Sequence, residues 1–433
     1  MSKRLAILGD LLDFADDPGF DSVDTPRVRF YPDHWLLVED GCVAGRQSEA
    51  PDPSWTRLEH RGRLVMPGFV DTHVHSPQLD VIASYGAELL DWLTTYTFPA
   101  EVRHANPEAA QSGARLFVDC LLAHGTTAAV VFPTVHKASV DALFEAALRR
   151  DMRLISGKIL MDRHAPLELT DDVAGAERDC LELIGRWHGR GRLAYAVTPR
   201  FAPTSSDAQL AMAGRLMDAV PGLYMQTHVA ENRDEVRWVA ELFPEARSYL
   251  DVYRRFGLLG PRAVLAHGIW LDDEDRALLA DCGAQVAHSP PSNRFLGSGL
   301  LDWRRLEAAG ARVSMATDVG GGTSLSMLRT LAEAYKVQAL QGQRLTAWKA
   351  LYTATRGAAR ALGLEHEIGS LDVGCSADIA IWNYAAGPLP AHRQTLARTL
   401  HERLFAFMTL GDERNLQAVL VAGRPQKITR GAG

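Results

Sequence analysis

Pro67-Gly68-Phe69-Val70-Asp71-Thr72-His73-Val74-His75 is the stretch of sequence that decides the fold. Its apolar run ends in two histidines one residue apart, and these point to the same face of a strand because side chains alternate with period two. His73 and His75 are therefore able to hold one metal ion together. A His-x-His pair often arises by chance, so its meaning depends on the rest of the chain.

Three further candidates stand at the ends of later strand-like runs: His228, His267 and Asp318. Ligands gathered at strand ends from distant segments are typical of barrel enzymes. His228 supplies a third nitrogen and Asp318 an oxygen, and three histidines with one carboxylate suit zinc or another borderline divalent metal. A single histidine is more often an ordinary surface or core residue, so the specificity comes from the whole set.

The chain between residues 64 and 369 repeats a pattern of short strands and helices. Strand-like runs occur at 64–70, 126–132, 153–160, 193–197, 223–227, 263–266, 284–287 and 312–317. Helix starts are predicted at Asn106, Ser139 and Ser206, since short polar side chains favour the N-cap position. Eight strands alternating with helices predict an α/β fold, a parallel (β/α)8 TIM-like barrel.

The two ends of the chain differ from its middle. Residues 1–64 and 370–433 hold short strand-like pieces punctuated by glycine and proline. Neither flank alone is long enough to bury a large hydrophobic core, because domains of about 60 residues have marginal stability. We therefore expect a composite β-sandwich domain from residues 1–64 and 370–433, beside a metal-dependent (β/α)8 barrel of residues 65–369.

The composition narrows the possible functions. A content of 47% hydrophobic and 23% charged residues is typical of a globular chain. A net charge of −7 without a basic cluster argues against nucleic acid or an anionic membrane as partner. Neither a membrane span nor a signal peptide is recognised. Five scattered cysteines without a Cys-x-x-Cys indicate reduced thiols in a cytoplasm, and exclude zinc fingers and cytidine-deaminase zinc sites.

Glu231, three residues beyond His228, is the candidate proton shuttle. A catalytic zinc lowers the pKa of its water to about 7, and the tetrahedral centre formed by attack needs a protonated leaving group. Alternatively, Glu231 is an acid that favours the dipole of the next helix. His267 is expected to bond the hydroxide or the developing oxyanion, and Asp318 to coordinate and to accept a proton from water. His288 is expected to brace the bottom of the pocket rather than to ligate.

With these residues in view, the chain resembles the amidohydrolase superfamily through residues 67–75, the later histidines and aspartate, and residues 374–379. Within that superfamily it is similar to the guanine deaminases over nearly its whole length. The strings that carry this similarity are Pro77-Gln78, residues 90–101, Thr198-Pro199-Arg200-Phe201, residues 227–235, Ser292-Asn293 and residues 317–322. One departure is the second proline of Ser289-Pro290-Pro291, which affects local loop shape.

The resemblance implies one zinc ion per chain, with the ligands His73, His75, His228 and Asp318. It implies Glu231 as acid and base, and hydrolysis of guanine to xanthine and ammonia. It also implies a homodimer, and substrate contacts from Gln78, Arg200, Phe201, His228 and Glu231. The side chains suit this: an arginine fork fits the O6 and N7 acceptors, an aromatic ring offers a face to the purine, and an amide matches N1–H and O6.

Alternatives remain at several points. The chain is otherwise an amidohydrolase for another aminated heterocycle of pterin or triazine type, or a catalytically silent scaffold. Residues 89–101 form either a buried helix or a lid over the pocket. Lys158 ends a strand-like run and is a candidate for carbamylation between two metals. It lies on the third strand rather than the fourth, so one metal is favoured.

Overall fold

The computed structural model describes residues 3–85 and 89–428. The strands in these ranges are β1 (Arg4–Phe14), β2 (Val28–Glu39), β3 (Cys42–Gln47), β4 (Thr56–Pro67), β5 (Phe69–His75), β6 (Thr126–Phe132), β7 (Arg153–Ser156), β8 (Ile159–Leu160), β9 (Leu193–Pro199), β10 (Tyr224–Val229), β11 (Ala263–His267), β12 (Gln285–His288), β13 (Arg312–Met315), β14 (Ile379–Trp382), β15 (Leu416–Val421) and β16 (Arg424–Pro425).

The α-helices in the same ranges are α1 (Leu89–Trp92), α2 (Phe98–Arg103), α3 (Pro107–Ala123), α4 (Lys137–Arg149), α5 (Val173–Trp187), α6 (Asp207–Ala219), α7 (Arg233–Leu242), α8 (Tyr249–Arg255), α9 (Asp273–Cys282), α10 (Pro290–Phe295), α11 (Trp303–Ala308), α12 (Met327–Leu340), α13 (Ala347–Thr353), α14 (Arg356–Ala361), α15 (Pro388–Thr395) and α16 (Leu400–Leu410). A π-helical turn, Leu93–Thr97, joins α1 to α2. None of these described helices is both long and apolar enough to cross a membrane.

Parallel strands form the barrel wall in the order β5-β6-β7-β9-β10-β11-β12-β13, with β8 paired to β9. Strands β5, β6 and β9 are buried along their whole length. Such burial is expected where helices cover the outer face of a parallel sheet. The predicted (β/α)8 barrel is confirmed.

The end of the barrel sheet returns to its beginning at a seam between the segment after β13 and β5. The backbone N–H of Asp318 donates to the carbonyl oxygen of His73 at 2.9 Å, and the N–H of His75 donates to the carbonyl oxygen of Val319 at 2.8 Å. These hydrogen bonds hold the carboxyl ends of the first and last barrel strands side by side. Three of the predicted ligands lie at this seam.

Strands from both chain ends form a second sheet in the order β16-β15-β14-β4-β1-β2-β3. Within it β1 pairs with β4 in parallel and the other pairs are antiparallel. The predicted β unit built from both chain ends is confirmed, although β1 has 11 residues and β2 has 12, rather than being short pieces. Residues 1–2 and 429–433 of the predicted domain ranges lie outside the described residues.

Two of the predicted strand-like runs are each divided between two strands. The run of residues 64–70 serves two sheets, because residues 64–67 belong to β4 and pair with β14, whereas β5 begins at Phe69. The run of residues 153–160 divides into β7 and β8. It is interrupted at Gly157, where a Cβ atom would lie 1.8 Å from the carbonyl oxygen of Ala196. A glycine permits this close approach of two backbones.

The predicted helix starts are confirmed at two of three positions. The Asn106 side chain accepts from two backbone N–H groups at the start of α3, and Ser206 caps α6. The prediction for Ser139 is wrong, because α4 begins at Lys137 and Ser139 lies buried inside its first turn.

Candidate active site

Four of the predicted side chains converge at the carboxyl ends of the barrel strands. His73 and His75 end β5, His228 lies near the end of β10, and Asp318 follows β13. Their ligand atoms all lie within 4.8 Å of one another. The structure therefore brings together the complete set of predicted metal ligands.

The spacing of these four atoms fits a metal ion. Nε2 of His75 lies 3.2 Å from Nε2 of His73 and 3.3 Å from Nε2 of His228. Oδ1 of Asp318 lies 3.1 Å from Nε2 of His73 and 3.2 Å from Nε2 of His75. Ligands about 2.0–2.1 Å from a zinc ion in a tetrahedral arrangement lie about 3.3 Å apart. The donor set and its spacing therefore suit a divalent ion of this kind.

The protonation of the ligands also favours metal binding. Burial lowers the pKa of His75 to about 3, despite its hydrogen bond with Asp318. Burial and the charges of His73 and His75 bring the pKa of His228 well below its ordinary value. Burial alone would raise the pKa of Asp318, yet the adjacent histidines hold it well below its usual range. Neutral imidazoles and an ionised carboxylate are the forms that bind a metal.

A backbone contact orients the third histidine. Nδ1 of His228 donates to the carbonyl oxygen of Arg200 at 2.6 Å. A ligating histidine usually donates its other ring nitrogen in this way, which fixes the tautomer and the ring orientation. The same strand end that carries Arg200 therefore aims His228 at the metal position.

Glu231 lies inside the pocket, not on the surface of α7. The hydroxyl of Ser298 donates to its Oε1 at 2.9 Å, and its Oε2 lies 3.3 Å from Nε2 of His267. The start of α7 is capped by Asn232 and Glu235 instead. The alternative role of Glu231 as a helix-start acid therefore has no support in this geometry.

The electrostatic environment of Glu231 suits proton exchange. Burial raises its pKa to about 8, the negative charge of Asp318 adds to the rise, and the Ser298 hydrogen bond opposes it. A carboxyl group that titrates near neutrality can both accept and release a proton in one catalytic cycle.

His267 faces the same point from β11. Its Nδ1 donates to Oδ1 of Asn293 at 2.8 Å, and its Nε2 lies 3.7 Å from Oδ2 of Asp318. Asn293 therefore orients the ring so that Nε2 faces both the carboxyl group and the metal ligand. The structure thus places His267 beside Glu231 and Asp318.

A cavity adjoins this cluster. It is lined by the predicted substrate residues and by the predicted catalytic residues, namely Gln78, Arg200, Phe201, Glu231, His267 and Asp318. The apolar side of the wall comes partly from Leu89, Trp92 and Leu93, so the start of the 89–101 segment forms part of the pocket wall.

Arg200 has a partner that the sequence did not indicate. Its Nη1 lies 2.9 Å and 2.7 Å from the two carboxylate oxygens of Glu101 in α2. Both side chains are buried, with 3% and 0% exposed. Nε2 of Gln78 also donates to Glu101, at 3.4 Å, while its Oε1 accepts from the N–H of Gly320 at 3.1 Å. Glu101 thus connects two predicted substrate residues.

Other predicted residues lie apart from the metal ligands. Lys158 pairs with Asp171 and is not a member of the ligand group. His288 is fully buried and packs against the ring of Trp303 at a centroid distance of 6.0 Å. The structure thus places both residues outside the group of candidate metal ligands.

Sequence reasoning missed the residues that act through others. Asn293 and Ser298 hold His267 and Glu231, and Glu101 holds Arg200. The buried carboxylate of Asp71 accepts from the backbone N–H of Thr317 at 3.1 Å across the seam. One sign in the sequence indicates that Glu101 is buried and paired: it is an acidic residue at the end of the apolar segment of residues 89–101.

The comparisons with known proteins agree with this geometry. A model of the amidohydrolase family matches residues 64–425. The chain is 44% identical to guanine deaminase of Escherichia coli strain K12 over 414 residues, which are 93% of this chain and 94% of that protein. The chain belongs to the guanine deaminase group of the amidohydrolase family. A human guanine deaminase is 34% identical over 382 residues, 85% of this chain and 83% of that protein.

Solved structures of guanine deaminases have the same fold. The E. coli guanine deaminase superposes with a TM-score of 0.93 at 42% identity, covering 98% of this chain and 99% of that chain. The guanine deaminase of C. acetobutylicum with guanine in its active site gives a TM-score of 0.88 at 28% identity, again covering 98% and 99%. The barrel and the second sheet are therefore common to this group of structures.

Proposed function

We propose that the chain hydrolyses the 2-amino group of guanine to give xanthine and ammonia. The observation that carries this proposal is the arrangement of one cavity. A buried proton-exchanging carboxyl, Glu231, lines it beside the metal-ligand cluster and the three side chains Gln78, Arg200 and Phe201. The kinship with guanine deaminases supports the same reaction.

We further propose that the resident metal is zinc, one ion per chain, held by His73, His75, His228 and Asp318. The donor set of three nitrogens and one oxygen supports this identity, since zinc prefers such ligands. When bound, the ion supplies activation of the attacking water. Every other part of the reaction falls to side chains.

Glu231 carries the protons in this proposal. It accepts a proton as the water oxygen bonds to C2, and it passes this proton to N3 as the C2–N3 π bond opens. The second proton of the added oxygen is then delivered to the amino nitrogen, the carbonyl forms at C2, and the bond from C2 to the amino nitrogen breaks with its electron pair leaving on ammonia. Nε2 of His267 lies next to Oε2 of Glu231 at 3.3 Å, where it can hydrogen-bond the oxygen added at C2. Asp318 serves as ligand and as a second proton acceptor.

Arg200, Gln78 and Phe201 hold the purine in this proposal. Nη1 of Arg200 is engaged by Glu101, which leaves Nη2 as the terminal nitrogen that donates to O6. The amide of Gln78 meets the N1–H and O6 edge, and Phe201 offers a ring face. Adenine carries an amino donor at C6, so it would leave the arginine donors unpaired.

The test is ammonia release from guanine, adenine, an aminopterin and an aminotriazine, before and after metal chelation. We expect turnover of guanine, almost none of adenine, and loss of turnover on chelation with recovery on adding zinc. A preference for the pterin or the triazine would establish the heterocycle hydrolase instead. Absence of turnover by zinc-loaded protein would establish the silent scaffold.

Three properties accompany this proposal. We propose a division into a composite domain of residues 1–64 and 370–433 and a barrel domain of residues 65–369. We also propose a homodimer that acts in cytoplasmic purine catabolism or salvage. Light scattering of the purified protein gives its mass in solution, and cell fractionation gives its compartment.

A further inference from the structure

Two hydrogen-bonding atoms of the cavity wall have no partner among the described residues and no part in the proposed reaction. They are Nε1 of Trp92 and Oγ of Ser292. A buried polar group without a partner costs free energy, and in a binding site a ligand supplies the missing partner. The serine hydroxyl both donates and accepts, whereas an indole N–H only donates. Trp92 therefore specifies the chemistry of its partner, an acceptor.

The surroundings of Trp92 make the acceptor a part of the ligand. Trp92 ends α1 and is 2% exposed. It packs in an apolar cluster with Leu89, Leu93 and Leu296, all of which line the same cavity. Aliphatic side chains offer no acceptor, so a molecule that enters the cavity is the available source of one.

We propose that the indole N–H of Trp92 donates to the unprotonated imidazole nitrogen of guanine. This inference rests on the proposed function. There Arg200 and Gln78 hold the O6 side, and C2 with the adjoining N3 faces Glu231. The acceptor left on the ring is N7 or N9, whichever lacks the proton. Trp92 is thus a specificity residue that recognises the five-membered ring, while the reaction takes place on the six-membered ring.

The test compares Trp92→Phe with the parent enzyme. Phenylalanine keeps an aromatic ring in the wall and removes only the indole N–H and part of the ring area. One neutral hydrogen bond corresponds to roughly a 3- to 10-fold change in binding. We expect KM for guanine to rise by that factor with kcat nearly unchanged, because the contact is made equally before and during the reaction.

Two analogues separate the hydrogen bond from packing. In 7-deazaguanine and 9-deazaguanine the five-membered ring keeps an N–H and has no acceptor. Each analogue should inhibit guanine turnover with the same inhibition constant in the parent enzyme and in Trp92→Phe. Equal weakening of guanine and of both analogues would show that Trp92 only packs, and an unchanged KM for guanine in Trp92→Phe would also overturn the inference.

A matched control exists elsewhere in the chain. Trp382 in β14 also has a buried Nε1 without a partner among the described residues, but it does not line the cavity. Trp382→Phe should leave KM for guanine unchanged. If Trp92→Phe loses zinc or folds poorly, Trp92→His is compared with Trp92→Leu instead. Histidine restores a ring N–H and leucine does not. Only the histidine variant should still bind guanine more tightly than the two deazaguanines.

The outcomes also separate this inference from the proposed function. A parent enzyme that does not release ammonia from guanine overturns both. A parent enzyme that turns over guanine, with a Trp92→Phe variant of unaltered selectivity, overturns the role of Trp92 alone.

Discussion

Asp318 contacts His73 twice, through its backbone N–H to the carbonyl oxygen at 2.9 Å and through its carboxylate to Nε2 at 3.1 Å. The hydrogen bond that closes the barrel therefore also sets the distance between two metal ligands. An error in the closure of the barrel would displace the carboxylate from the histidines. The candidate metal position therefore depends on the closure of the barrel between β5 and the segment after β13.

Replacement of His73 or Asp318 by alanine should lower bound zinc to a small fraction and abolish turnover. Losing one of four protein ligands removes the geometry on which affinity depends. Zinc content per chain and ammonia release measure the two effects. The control is His392→Ala on the exposed surface of α15, which should keep both. Full activity of the metal-free protein would contradict this prediction.

Changing Glu231 to glutamine keeps the shape and the contact with Ser298 but removes the transferable proton. General acid–base groups contribute roughly 10² to 10⁴-fold to the rate, so kcat should fall at least by that range while zinc content stays the same. Glu241→Gln, at an exposed position of α7, is the control. A Glu231→Gln variant within about threefold of the parent would remove Glu231 from the mechanism.

Arg200→Ala should lower kcat/KM for guanine. The corresponding rise in the free energy of activation should be about 1.5–3 kcal/mol, the range for a hydrogen bond to a charged group. The variant also leaves the buried carboxylate of Glu101 without its partner. Steady-state rates are therefore to be measured alongside urea unfolding. Full activity of Arg200→Ala on guanine would exclude the assigned purine contact.

Glu101 and Arg200 should show strong coupling in a double-mutant cycle. Removing one member of a buried ion pair is destabilising by about 3–5 kcal/mol because the other charge is left uncompensated. We expect Glu101→Gln and Arg200→Gln each to lower the free energy of unfolding, and the double variant to lose less than the sum. Simple additivity of the two losses would contradict a direct pairing.

In the metal-free protein, Glu231 should make a contribution to stability that is lost as pH rises. Its pKa is about 8 in the folded chain against the ordinary value of 4.5, so the folded state keeps a proton that the unfolded state has lost. The contribution of Glu231 to the free energy of unfolding therefore falls between about pH 4.5 and pH 8, whereas the contributions of His75 and His228, whose pKa values are lowered, rise with pH below about 6.5. Urea unfolding of the metal-free parent and of Glu231→Gln isolates the Glu231 contribution: the parent's free energy of unfolding, relative to that of the variant, should fall as pH rises, and identical slopes would exclude a protonated, buried Glu231.

The convergence of the four candidate metal ligands could be predicted from the sequence because each one lies at a strand end. His73 and His75 share a strand face, and strand ends of a parallel barrel meet at one rim. The Glu101–Arg200 pair could not be predicted in this way, since the position of α2 depends on tertiary packing. The start of β5 was missed for a similar reason, because a continuous apolar run gives no sign that it passes from one sheet to another.

The seam between His73 and Asp318 also bears on how the protein is made. During synthesis the histidines of the site leave the ribosome well before Asp318, so an incomplete chain offers nitrogen ligands without the closing carboxylate. The last barrel strand must dock against the first before all four ligands exist in one place. An ion bound by the finished set then opposes the reopening of that junction by mass action. Binding of an ion by the complete ligand set therefore requires that translation has passed the final barrel strand.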